Sequence, residues 1–125
     1  MSADLNRITL VGRLTRTPEL RHRPTGDPVL CLRLAVSSRS RGQDGEWSDR
    51  GNFFDVSLFG ARANALAELL DKGERVGVDG RLSWREWHDE AGTRQERVEV
   101  VASDLFLLGS KRGPGSADRV EAAAA

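Results

Sequence analysis

Apolar and polar residues alternate with period two in five stretches of this chain and follow a helical period in one. In "LNRITLVGRL" the apolar positions recur as a short strand, with Gly12 inside it as a bulge or a point of close backbone approach. "VLCLRLAVSS" reads as a second strand, in which Leu30, Leu32, Leu34 and Val36 face one way and Cys31, Arg33 and Ala35 the other. A third, "NFFDVSLFG", turns Phe54, Val56 and Leu58 toward a core and leaves Phe53, Asp55, Ser57 and Phe59 on the opposite side. Two large rings sharing a face with an acid and a hydroxyl are only partly buried, and such a face asks for a partner.

"ARANALAELLDKG" carries the helical period, with Ala61, Ala65, Leu66, Leu69 and Leu70 as its apolar side and Gly73 as its C-cap. Two more strands follow, "RVGVDGRLSWREW" and "QERVEVVASDLFLL", joined by the turn "HDEAGTR". "TRTPELRHRPTGDP", punctuated by Pro18, Pro24, Gly26 and Pro28, reads as loop and turn. Gly42, Asp44 and Gly45 open a flexible connection before the third strand. Three strands, one helix and two strands predict an all-β oligonucleotide-binding fold, a five-stranded barrel with one helix between strands three and four. A generic α+β sheet with the helix packed across it is the alternative.

The 125 residues suffice for one domain, expected over 1–108. The span 109–125, "GSKRGPGSADRVEAAAA", lacks aromatics and predicts a disordered tail. No signal-peptide pattern or apolar run of membrane length occurs, which points to a cytoplasmic protein. The lone Cys31 excludes an intrachain disulfide and is expected as a packed core thiol.

Charge changes the picture more than composition does. The chain is formally neutral, yet residues 1–50 hold nine Arg against six acids, and Arg7 to Arg41 hold eight Arg against only Glu19 and Asp27. Seventeen of the nineteen basic residues are Arg, whose guanidinium forks onto phosphate and stacks on bases. A local basic surface is therefore expected on a neutral protein.

Single-stranded nucleic acid is bound without regard to sequence by a groove that neutralises phosphates and by rings on which bases stack. Phe53, Phe59, Trp84 and Trp87 are the candidate platforms, interleaved with Arg81 and Arg85; Arg7, Arg13, Arg21 and Arg33 complete the candidate phosphate contacts. Trp84 and Trp87 have opposite strand parity, so a regular strand turns at most one of them into the groove. Trp47 falls in the connection, where covering the core, stacking on a base and plain exposure all stay open. Enzymatic chemistry finds little material: His22 and His88 are the only histidines, in polar segments, and no HExxH, CxxC, GxSxG or phosphate-loop spacing occurs. No catalytic activity, metal or cofactor is expected.

"NRITLVGRLTRTPELR", "FFDVSLFG", "LLDKGERVGVDGRL" and "WREWHDEAG", in this order across residues 4–108, resemble the bacterial single-stranded DNA-binding protein family. The resemblance implies an oligonucleotide-binding fold, a homotetramer, wrapping of single-stranded DNA, and service in DNA replication, recombination and repair in the nucleoid. It implies base-stacking roles for Phe53, where Trp is usual, for Phe59 and for Trp87, and a phosphate contact for Arg13. Ser40 stands where some members carry a further stacking Trp, and Thr17-Pro18-Glu19 where Asp-Pro-Glu is usual. Tyrosine is absent. The chain ends "DRVEAAAA" in place of the acidic tip closed by Phe that recruits replication and repair proteins, as in a short paralogue or a truncated sequence. The rival reading is a protein-interaction module of the primosome or repair machinery, with a dimeric primosomal replication protein as the nearest alternative.

Overall fold

Alternating side chains along six strands decide which side of the sheet is dry. A computed structural model describes residues 3–109, with β1 (Ile8–Leu14), β2 (Glu19–His22), β3 (Pro28–Arg41), β4 (Trp47–Phe59), α1 (Arg62–Leu69), β5 (Arg75–His88) and β6 (Arg94–Gly109). The sheet runs β1-β5-β6-β4-β3-β2, and a second pairing of β1 with β3 through Arg13↔Ala35 and Leu14↔Leu34 closes β1, β5, β6, β4 and β3 into a ring. All neighbours are antiparallel except β4 and β6, which run parallel at Val56↔Val100 and Ser57↔Val101. The inward row, including Leu14, Leu30, Leu34, Val56, Val76, Val78 and Val100, is almost wholly buried and fills the ring. Each such aliphatic side chain stabilises the fold by about 1.5–3 kcal/mol relative to leaving it in water.

Gly12 lies where the ring closes: a Cβ there would collide with the carbonyl oxygen of Ala35, so the anticipated close approach is between β1 and β3. Gly80 stands at a register irregularity between β5 and β6, and a Cβ on it would overlap the carbonyl of Val101.

Five local expectations are corrected. The segment read as loop contains β2, a four-residue strand added outside β3 at Glu19↔Cys31 to His22↔Pro28; Leu20 packs on the core, and Pro28 is accommodated as the first residue of β3. The connection before the third strand is mostly ladder, since β3 and β4 stay paired out to Arg41↔Trp47. The helix packs through Ala63, Leu66, Ala67 and Leu70, an i, i+3, i+4, i+7 row, while Leu69 is exposed. Gly73 is no cap of that helix, which gives way at Leu70; with φ +88° it makes the turn into β5 and donates its N–H to the Leu14 carbonyl at 2.8 Å. Cys31 is not in the core: it is half-buried on the outer side of β3, with Arg33.

The domain prediction ends at 108, whereas Gly109 still closes β6; the tail prediction for 110–125 lies outside the described residues.

Candidate nucleic-acid interface

Residues directly opposite in a ladder share a face. The β3–β4 register therefore builds one outer surface from Ala35↔Phe53, Arg33↔Asp55, Cys31↔Ser57 and Val29↔Phe59. Phe53 is 55% and Phe59 40% exposed, as a row backed by a full inner core requires. Asp55 is the electrostatic hinge of this surface. Its Oδ1 accepts a hydrogen bond from Nη1 of Arg33 at 3.0 Å, and its Oδ2 one from Nη2 of Arg97 on β6 at 2.7 Å, so one carboxylate clamps guanidiniums from both neighbouring strands.

Across β6, Arg85 on β5 stands opposite Arg97, and Trp87 follows on the same side of β5 with its ring 5.2 Å from the Arg85 guanidinium. Between β2, β3, β4, β6 and β5 the surface sinks into a cup of about 340 Å³. Arg16, Arg21, Arg85 and Arg97 line it against only Asp55 and Glu99, with Cys31, Ser57 and Phe59 also on its wall. The hydrogen bond and charge of Arg21 hold the Glu19 carboxyl below the usual carboxylate range, and the same bond raises Arg21, so this pair stays ionised. Burial pushes the Cys31 thiol up, which keeps it protonated at neutral pH.

The rings of this surface are each faced by a cation. Arg23 lies 4.8 Å from the Phe59 centroid and Arg33 5.6 Å from that of Phe53. Each pair is held by the attraction of the guanidinium to the ring's electron-rich face.

A model of the single-strand binding protein family matches residues 5–108. The chain belongs to that family. Among curated members it is 40% identical over 112 residues to single-stranded DNA-binding protein A of Bacillus subtilis, covering 90% of this chain and 64% of that one. It is 36% identical over 106 residues to the single-stranded DNA-binding protein of Helicobacter hepaticus, covering 85% and 62%. The chain thus spans less than two thirds of the length of these relatives. Among solved structures, a complex of the Plasmodium falciparum single-strand binding protein with single-stranded DNA superposes with a TM-score of 0.77 at 27% identity, over 86% of this chain and 98% of that one. A deletion mutant of the Thermus aquaticus single-stranded DNA binding protein gives 0.76 at 32% identity, over 89% and 52%. The ring of five strands with one helix is accordingly the oligonucleotide-binding fold of this family.

Within that fold the sequence-predicted residues separate. Phe53, Phe59, Trp87, Arg21, Arg33 and Arg85 come together on the outer surface, and Arg81 lies on the same side of β5 as Arg85. Trp84 does not join them: it points to the other side of the β5–β6 hairpin, opposite Val98, where Arg94 lies 5.9 Å from its ring. Arg7 is held by Asp79 of β5 at 3.0 Å, and Arg13 donates to the Gly73 carbonyl at 3.2 Å, so both are engaged around β1 and β5. Sequence reasoning missed Arg16, Arg23 and Arg97. The signal for Arg97 was present, because it alternates with Val98 and Val100, but its partner Asp55 is 42 residues away and nothing local pairs them. Among the described residues no cluster of metal-ligating side chains occurs, and no helix is long and apolar enough to cross a membrane.

Proposed function

We propose that this protein binds single-stranded DNA without regard to sequence, stacking bases on Phe53, Phe59 and Trp87 while Arg21, Arg33, Arg85 and Arg97 neutralise phosphates. The observation that carries the reading is the outer face of β3, β4, β5 and β6, where exposed rings and guanidiniums interleave on a surface the fold does not need for its core. The family to which the chain belongs, and the DNA-bound structure it resembles, support the same reading. Holding bases unstacked from a second strand prevents reannealing and hairpins, and no bond is made or broken, so the protein is a binder rather than an enzyme. Its work is protection of single strands in replication, recombination and repair, in the cytoplasm at the nucleoid.

A homotetramer lengthens the track that one small ring offers. In its support, among the described residues β1 is ladder-paired on one edge only along Ile8–Gly12, and the row Val11↔Gly77↔Phe106 puts exposed apolar side chains on the adjoining outer face. Sedimentation at micromolar concentration tests this part, and a monomer there removes it.

Titration with a long oligothymidine and with duplex of equal length, followed by tryptophan fluorescence at two salt concentrations, tests the function. Quenching by the single strand, weakened by salt, is expected. No response to either nucleic acid would leave the rings as a contact surface for a protein.

A further inference from the structure

The cup in the outer face has a floor of two small side chains, Cys31 and Ser57, which stand directly opposite each other in the β3–β4 ladder. Larger neighbours wall it in, so Ser57 is nine-tenths buried although its row faces away from the core. Its hydroxyl makes no hydrogen bond with any described residue. A buried hydroxyl without a partner is destabilising, and a ligand in the cup relieves it.

Two charged groups on opposite walls are likewise unused. Glu99 of β6 has only 19% of its side chain exposed, and its ion-pair partner Arg85 stands 3.9 Å away, beyond hydrogen-bonding reach. Arg16, on the far side of β3 from β4 and β6, makes no hydrogen bond or ion pair among the described residues. Both charges act on the Cys31 thiol, so they converge on one floor. Arg21 and Arg97, by contrast, are engaged by Glu19 and Asp55.

These groups choose among occupants. A phosphate would bring its charge against Glu99 and leave most of the roughly 340 Å³ empty, whereas a base fits against the apolar wall made by the ladder pair Val29 and Phe59. Of the four bases, guanine alone carries two adjacent acceptors, N7 and O6, for a guanidinium fork and two adjacent donors, N1–H and the N2 amino group, for a carboxylate. We infer that the cup is a guanine site, in which Arg16 donates to N7 and O6, Glu99 accepts from N1–H and the N2 amino group, and Ser57 donates to O6 from the floor. O6 lies between N7 and N1 on the base, as Ser57 lies between the Arg16 and Glu99 walls. The inference rests on the reading of the outer face as a single-strand track and adds one selective position to it: the exposed rings stack any base, and the cup picks out one.

The test uses the full chain and two oligonucleotides of equal length, oligothymidine and oligothymidine with one central guanosine, followed by tryptophan fluorescence. The guanosine should strengthen binding about tenfold, the scale of a bidentate base contact. Inosine in its place, which lacks the N2 amino group, and 7-deazaguanine, which lacks N7, should each lose most of that gain. Glu99→Gln should abolish the preference without weakening oligothymidine binding, since it removes a negative charge from the face. Ser57→Ala should reduce the preference and melt no lower than the native protein, because its hydroxyl has no partner to lose. Equal affinity for the two oligonucleotides would overturn the site while leaving the track intact. A gain that adenine or inosine reproduces in full would reduce it to purine stacking on Phe59 and overturn it too, as would a preference that survives Glu99→Gln. If none of these oligonucleotides binds, the reading of the face falls and the inference with it.

Discussion

The carboxylate of Asp55 accepts a 2.7 Å hydrogen bond from Arg97, linking β4 to β6 on the surface that carries Phe53 and Phe59. With Arg33 on its other oxygen, Asp55 holds two of the phosphate-facing guanidiniums in place and offsets part of their charge.

Replacing Asp55 with Asn should therefore act in two directions. Stability should fall by about 1 kcal/mol, the scale of a partly exposed ion-pair network. Binding to oligothymidine should strengthen at low salt, with the slope of log affinity against log salt steeper by about 0.7 for one more effective positive charge. Denaturant unfolding and titrations at several salt concentrations measure the two effects separately, and a shallower slope would contradict this role.

The helix face can be checked by a pair of truncations. Leu34→Ala, in the core beside the ring closure, should cost about 2–5 kcal/mol, whereas Leu69→Ala, on the solvent side of α1, should change stability by less than about 0.5 kcal/mol. Equal losses in thermal or urea unfolding would mean that α1 packs through the other row.

Gly12→Ala should destabilise the protein by about 1–3 kcal/mol, because its Cβ meets the backbone carbonyl of Ala35, which cannot step aside without opening the β1–β3 closure. The melting temperature reads this directly.

Much of this architecture was legible in the alternation of side chains, and the limits of legibility are local. Phe53 and Phe59 were separable from Phe54 by parity alone, because period two survives wherever one face is dry. The same rule applied to Trp47, six residues before Phe53, but glycines and charges around it read as a flexible link; cross-strand pairing with Arg41 keeps the ladder going through a polar sequence. Trp84 needed the third dimension: it continues the inward row of β5, beyond Val76 and Val78, past the point where the core ends. Ala63 was passed over in the helix because Ala61, Ala65, Leu66, Leu69 and Leu70 make an equally periodic set, and only docking on the ring chooses between two overlapping stripes.

Cys31 offers a pH-dependent probe of the cup. Burial disfavours its thiolate, so alkylation by iodoacetamide should be slow at neutral pH and accelerate only above the ordinary thiol range. Oligothymidine bound over Phe59 and Arg21 should slow it further, which mass spectrometry of the alkylated fraction can follow; equal rates with and without DNA would place the strand elsewhere.

The most direct test of the stacking-and-phosphate account is the salt dependence of oligothymidine binding by a Phe53→Ala, Phe59→Ala double variant beside the native protein. Both rings are exposed, so the variant should fold. The account predicts affinity lower by roughly thirtyfold or more at every salt concentration, with the salt slope unchanged because the guanidiniums remain. Native affinity in the double variant, or a slope that collapses with the rings, would contradict it.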